Sequence, residues 1–199
     1  DRVVSYTHEG ETYTYVRDVG GDPNKATKTD SNGNVLQLTY DAEGRITSRK
    51  EPGATNATAL VYASDGTLQL ETDPQGVKTS YTYDSKARIL TRTDDYQGAD
   101  PVRWEYTYDA TYPDKVATIV PKNPANNQVH TGWQGSKFEY HGAGSAAPGA
   151  LWKTYRLQSD GTTADLLSVT GYDAKGRATS YTSPDGGATD TVYDSNGNV

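Results

Sequence analysis

A short signature returns along this chain at intervals of about 21 residues, and no other feature limits its folding so strongly. Thr39-Tyr40-Asp41-Ala42-Glu43-Gly44-Arg45-Ile46 is repeated as Thr82-Tyr83-Asp84-Ser85-Lys86-Ala87-Arg88-Ile89 and as Gly171-Tyr172-Asp173-Ala174-Lys175-Gly176-Arg177-Ala178. Weaker copies start at Tyr62, at Tyr108-Asp109 and at Tyr193-Asp194, the last with Gly197. One gap, the 64 residues from Tyr108 to Tyr172, is close to three units.

Each unit carries a second turn halfway along. Asp30-Ser31-Asn32-Gly33 precedes Asp41, Asp73-Pro74-Gln75-Gly76 precedes Asp84, and Pro184-Asp185-Gly186 falls between Asp173 and Asp194. Turn signals so closely spaced, with no helical stretch between them, indicate short antiparallel strands. The residues between them alternate: Leu36, Leu38 and Tyr40 against Gln37 and Thr39, and Trp104, Tyr106 and Tyr108 against Arg103, Glu105 and Thr107. One aromatic and aliphatic sheet face and one polar face are expected, because successive strand side chains point oppositely. In Asp-x-x-Gly the Asp caps the turn through backbone N–H groups, and the Gly takes a positive φ in a type I turn with a G1 bulge. Gly33, Gly44, Gly76, Gly176 and Gly197 are expected to be left-handed. Ala87 departs from the rule and implies strain or another geometry. The expected fold is all-β: antiparallel β-hairpin repeats forming a curved or spiral sheet.

Composition tests that reading. Leu, Ile, Val and Phe make up only about 14% of the chain, a level that suggests disorder. Against this, the net charge of -7 is modest, and 16 Tyr and 3 Trp supply large rings to bury. A folded chain with a largely aromatic and β-branched apolar surface reconciles the two. The acidic balance, with a pI near 4.9, argues against nucleic acid as a partner. There is no apolar run long enough for a helical membrane span. Without Cys there is neither a disulfide framework nor a thiolate site.

Three regions are expected: a repeat array over 1–120, an irregular insertion or degenerate repeats over 121–168, and further repeat units over 169–199. The middle region holds Pro121, Pro124 and Pro148 and the small-residue run Gly142 to Gly149, although Phe138 with Tyr140, and Trp152 with Tyr155 and Leu157, could form strands. Residues 1–28 and 121–168 are the segments available to cap the ends of the array, which otherwise invite self-association. Asp1 in place of a starting Met, and an end at Val199 inside the motif, suggest a piece of a longer polypeptide.

Tyr-Asp-x-x-Gly-Arg followed by an aliphatic residue, with an Asp-Pro-x-Gly turn half a unit away, resembles the YD repeat of the Rhs family. The resemblance covers 29–120 and 169–199. It implies a bacterial secreted or surface protein related to polymorphic toxins, toxin-complex components and teneurins. In that family many repeats wind into a hollow shell that can enclose a C-terminal toxin. Asp73-Pro74-Gln75-Gly76 is followed by Val77, so the self-cleaving aspartate motif of the family is not matched there, and no protease role transfers to it.

The residues that carry the repeat are Tyr40, Asp41, Gly44, Arg45, Tyr62, Tyr83, Asp84, Arg88, Tyr108, Asp109, Tyr172, Asp173, Gly176, Arg177, Tyr193, Asp194 and Gly197. Their expected role is structural: aspartates cap turns, and tyrosines on neighbouring strands pack in ladders. No catalytic pair is nominated. Asp30 to Asn34 and Asp194 to Asn198 lack the spacing of a calcium loop, and His8, His130 and His141 read as unrelated surface histidines. No cofactor or metal is expected. Asn56-Ala57-Thr58 matches a glycosylation acceptor, accidental in a bacterial protein. Of Trp104, Trp133 and Trp152, Trp133 lies outside the repeat and is the candidate ligand contact. The sequence therefore points to a non-catalytic wall segment whose partners are further repeats of its parent chain and a C-terminal toxin cargo. The alternative is an adhesive module that binds a cell-surface glycan.

Overall fold

The computed structural model describes residues 2–199; Asp1, the first residue of the expected N-terminal cap, lies outside the described residues. The chain divides into two units, one of residues up to Arg88 with Thr93–Pro101 and one of Ile89–Arg92 with Val102–Val199. Strands continue through the Pro-rich region between 121 and 168.

The first unit holds β1 (Arg2–His8), β2 (Glu11–Arg17), β3 (Lys25–Thr29), β4 (Val35–Tyr40), β5 (Ile46–Lys50), β6 (Thr58–Tyr62), β7 (Leu68–Thr72) and β8 (Lys78–Tyr83). A strand at Ile89–Asp94, β9, follows. The second unit continues with β10 (Val102–Tyr108), β11 (Val116–Lys122), β12 (Gly135–Tyr140), β13 (Leu151–Leu157), β14 (Ala164–Tyr172), β15 (Ala178–Thr182) and β16 (Ala188–Asp190). Within each unit every strand pairs antiparallel with the next in sequence, and among the described residues the one helical element is a 3-10 turn at Val19–Gly21. The fold is all-β, as the turn spacing requires.

The turns close as their residues dictate. Asp41 N–H donates to the Arg45 carbonyl at 2.9 Å and Gly44 N–H to the Asp41 carbonyl at 3.1 Å, with Gly44 at φ 81°. Gly33, Gly76, Gly176 and Gly197 are also left-handed. Ala87 settles the open alternative: it adopts φ 59° and keeps the same hydrogen bonds, so this turn holds its geometry against the Cβ.

A bulge accompanies the key tyrosines. The register shifts immediately before Tyr40, Tyr62, Tyr108 and Tyr172, and again before Tyr140. That last position corrects the arithmetic of the long gap. Tyr108, Tyr140 and Tyr172 are 32 residues apart, so the gap holds two enlarged units rather than three of ordinary length. The extra residues lie in wider turns, at 109–115, 123–134, 141–150 and 158–163. A bulged strand twists more strongly and re-aims its side chains, which sets the tyrosines toward the neighbouring hairpin.

Burial is sparse. Ala26 in the first unit, and Val102, Pro121, Ala147 and Leu157 in the second, are the buried apolar side chains among the described residues. Leu157 lies opposite Gly135, where a Cβ would stand 2.6 Å from the Ile119 carbonyl and 3.3 Å from Leu157 Cβ. Only glycine lets β11 and β13 approach β12 this closely. The faces of the first unit alternate as expected, with one difference. Arg17 and Lys28 share the face of Tyr6, Tyr13 and Tyr15, while Ser5, Thr7, Thr12 and Thr14 occupy the other.

Candidate functional site

Several of the repeated residues assemble into a clasp that joins one hairpin to the next. It begins at the Asp of the turn. Asp173 Oδ1 accepts N–H bonds from Lys175 at 2.9 Å and Arg177 at 3.0 Å, and its Oδ2 accepts Arg177 Nε at 2.7 Å. Asp41 with Arg45, and Asp84 with Arg88, repeat this arrangement. The carboxylate satisfies orphan turn donors through Oδ1 and holds the guanidinium through Oδ2, since a charge-assisted hydrogen bond fixes geometry as well as charge.

The oriented guanidinium lies over the tyrosine of the following unit. Arg45 is 4.8 Å from the centroid of Tyr62, and Arg177 is 4.2 Å from that of Tyr193. Each hydroxyl then donates to the carbonyl just after the cation: Tyr62 to Ile46 at 2.9 Å and Tyr193 to Ala178 at 2.9 Å. Tyr108 does the same to Ile89 at 2.8 Å. Cation–π attraction at the ring face and a hydrogen bond at its tip therefore act on one side chain. This differs from the expected ladder of tyrosines: the partners of the Tyr62 and Tyr193 rings are a cation and a carbonyl.

Two members escaped the sequence reading. Tyr140 donates to the Val116 carbonyl at 2.7 Å, with Lys115 Nζ 5.5 Å from its ring. Lys115-Val116 thus takes the place of Arg-Ile after Asp109, whose Oδ1 accepts N–H from Thr111 and Tyr112 in a turn two residues longer. The available signal was a basic residue before a β-branched one. At the other missed site, Tyr15 and Tyr40 share a hydrogen bond of 2.8 Å with the Arg17 guanidinium near both rings. Burial, followed by the bond to Tyr15, pushes the Tyr40 hydroxyl up to about 12.

The remaining positions complete the series with variations. Tyr83 is half-buried, and burial raises its pKa. Tyr172 meets the His141 ring edge-on at 5.6 Å, and His141 Nε2 donates to the Thr170 carbonyl at 3.1 Å. Asp194 pairs with Asn198 instead of Arg, as Asp30 does with Asn34. Those two turns use their carboxylates on their own donors, which accounts for their calcium-like composition. Among the described residues no cluster of His, Asp and Glu has the arrangement of a metal site. His130 corrects the surface reading: it is 6% exposed, with Nδ1 3.1 Å from the Thr131 carbonyl. Asn56 is exposed and donates to the Pro74 carbonyl at 3.0 Å.

Trp133 is 48% exposed, and its ring meets Trp104 edge to face, with centroids 5.2 Å apart and planes at 89°. Trp152 lies apart from that pair, against His141 and under the Lys153 ammonium. Crossed rings do not form the coplanar platform on which a sugar stacks.

The carboxylates predict acid behaviour. Hydrogen bonds from Thr163 Oγ1 and from the Thr162 and Thr163 N–H groups lower Asp160 to about 2. In the unfolded chain it titrates near 3.9. A depressed folded pKa gives stability that is complete above the unfolded value and is lost as pH falls through the folded one. Arg177 holds Asp173 low by backbone and side-chain bonds against desolvation, and Arg88 does so for Asp84. Urea midpoints are expected to be level above about pH 5 and to drop steeply toward pH 2, with a shallower drop in Thr163→Val. A flat profile down to pH 2 would contradict this.

The geometry is that of a modular antiparallel β-repeat array. Residues 24–55 match the RHS repeat family model. No curated protein matches the chain. Among solved structures, the complex titled TcdB2-TccC3 without hypervariable C-terminal region matches at a TM-score of 0.57 and 19% identity, over 94% of this chain and 10% of that one. TcdB2-TccC3-Cdc42 matches at 0.54 and 18%, over 92% and 10%. The Photorhabdus luminescens Tc holotoxin pore carrying a TccC3 mutation matches at 0.52 and 18%, over 90% and 10%. The chain thus spans about a tenth of the length of these structures, and the likeness is one of fold.

Proposed function

We propose that this chain is a non-catalytic wall segment of a larger secreted or surface-displayed bacterial Rhs-type shell, which encloses, protects or delivers a C-terminal toxin or effector. The observation that carries this reading is the clasp. Because turns grip the tyrosine of a later unit at Tyr62, Tyr108, Tyr140 and Tyr193, one module is fastened to the next, as a wall requires. The carboxylates of the repeated turns are committed to their own backbone and arginines, which leaves them no free acid or base role. The partners are further repeats of the parent polypeptide and its cargo. Crossed Trp104 and Trp133 favour this reading over a glycan-binding surface.

The test is limited proteolysis of the parent polypeptide. Sequence following the repeats is expected to resist trypsin and to be cut at least about tenfold faster when Arg45→Ala and Arg177→Ala open two clasps. Equal cleavage with and without the substitutions would overturn the enclosure. Turnover of ester, peptide or glycoside substrates by the purified chain would overturn the absence of catalysis.

A further inference from the structure

One copy of the repeated turn keeps the backbone of the others and lacks both the Asp and the cation. In Ala63-Ser64-Asp65-Gly66-Thr67 the Ala63 N–H donates to the Thr67 carbonyl at 2.9 Å and the Gly66 N–H to the Ala63 carbonyl at 3.0 Å, the same bonds that close the Asp41 turn. Ala63 stands where Asp41 stands, and Thr67 where Arg45 stands. Asp65 Oδ1 instead accepts the Thr67 N–H and hydroxyl, at 2.9 and 2.7 Å. This turn offers no guanidinium to the tyrosine of the following unit, Tyr83. Among the described residues no cation lies over the Tyr83 ring, and its hydroxyl makes no bond to the Leu68 carbonyl, which holds the place of the Ile46 carbonyl.

The missing clasp falls on a joint of a kind that is fastened elsewhere. β7 and β8 pair at Leu70–Ser80, Glu71–Thr79 and Thr72–Lys78, beside the Asp73 turn, although β7 begins at Leu68 and β8 runs on to Tyr83. The ladder stops short and leaves a split at that end. β5 and β6 show the same split beyond Ser48–Ala59 and Arg49–Thr58, as do β11 and β12 beyond Thr118–Lys137 and Ile119–Ser136. There a tyrosine hydroxyl spans it, Tyr62 to Ile46 at 2.9 Å and Tyr140 to Val116 at 2.7 Å. Between β7 and β8 the Tyr81 hydroxyl reaches Glu71 Oε2 at 3.4 Å, outside the usual O–H···O range.

We propose that the split between β7 and β8 is a seam, the joint between β3 and β8 that opens most readily. Opening free energies differ from place to place in a structure, and a joint with fewer fastenings opens at lower cost. The Asp73 turn is the fixed end of the seam, because Asp73 Oδ1 holds the Gln75 and Val77 N–H groups at 2.9 and 2.8 Å. The end at Leu68 and Tyr83 is the one that parts. The seam depends on clasp geometry and not on an enclosed cargo, so the fate of the wall reading leaves it untouched.

Native-state hydrogen exchange of the purified chain tests it. The Asp73 N–H donates to the Val77 carbonyl, so strand alternation makes Glu71 and Thr79 the next hydrogen-bonded pair, and their amides report the seam. They are expected to be protected at least about tenfold less than the amides bonded between β5 and β6. Ala63→Asp combined with Thr67→Arg rebuilds the clasp and should raise their protection about tenfold while leaving β5 and β6 unchanged. Tyr83→Phe should leave the protection of the otherwise natural chain unaltered, yet remove part of the gain in the rebuilt one. Equal or greater protection at Glu71 and Thr79 than between β5 and β6 would overturn the seam. A loss of protection with Tyr83→Phe alone, or a folded rebuilt chain without the local gain, would do the same. If the rebuilt chain does not fold, the natural chain and its Tyr83→Phe variant decide.

Discussion

Leu157→Ala is expected to destabilise the second unit by about 3 kcal/mol, within the range for a large-to-small change at a buried leucine. At 2% exposed, Leu157 is the largest aliphatic side chain among the few that are fully buried. Its surroundings cannot collapse around the lost atoms: the backbone of β12 is already drawn in at Gly135, against the Ile119 carbonyl and Leu157 itself. The cavity should therefore persist, and the cost should exceed simple transfer of the deleted methyl groups. Gly135→Val acts from the other side, forcing β11 away from β12. Leu151→Ala is the control, because Leu151 is 37% exposed and should change stability by less than about 1 kcal/mol. Urea unfolding measures all three, and hydrogen exchange should place the loosening in β11 to β13. A loss below about 1 kcal/mol for Leu157→Ala would show that this sparse core does not hold the unit together.

The local turn was legible in the sequence, whereas the reach of its side chains was not. Asp, Gly and the alternating apolar residues encode turn and strand within a few positions, so Tyr40 to Ile46 could be read as one hairpin from its own residues. Tyr62 lies 17 residues after Arg45, and contact between them depends on strand register and on a bulge whose tilt no propensity encodes. Tyr140 was hidden for another reason. His141 replaces the turn Asp, and enlarged turns on both sides displace it from the 21-residue phase, although its bond to Val116 matches that of Tyr62 to Ile46. Period-two alternation assigned the faces correctly but could not reveal that Arg17 and Lys28 lie against tyrosine rings rather than in open solvent. The scarcity of Leu, Ile, Val and Phe was the informative anomaly. In place of a large core, contacts are distributed among clasps at the turns.

That distribution gives the second large effect, at Arg45. Arg45→Ala removes the Nε–H bond to Asp41 Oδ2 and the cation over Tyr62 together, and is expected to lower the thermal midpoint by on the order of 5 °C. Arg45→Lys should recover less than half of the loss. Its ammonium can reach Asp41 or the ring, but it lacks the planar fork that does both in one orientation. Tyr62→Phe isolates the hydroxyl bond to Ile46, worth about 1 kcal/mol, and keeps the ring beneath the guanidinium. If the three groups act as one device, Arg45→Ala combined with Tyr62→Ala should cost less than the sum of the single changes, since either alone already opens the clasp. Strict additivity would mean that Asp41–Arg45 and Tyr62–Ile46 are separate surface contacts. Such contacts contribute little, and the unit-to-unit coupling on which an extendable wall depends would then have to reside in the strand ladders alone.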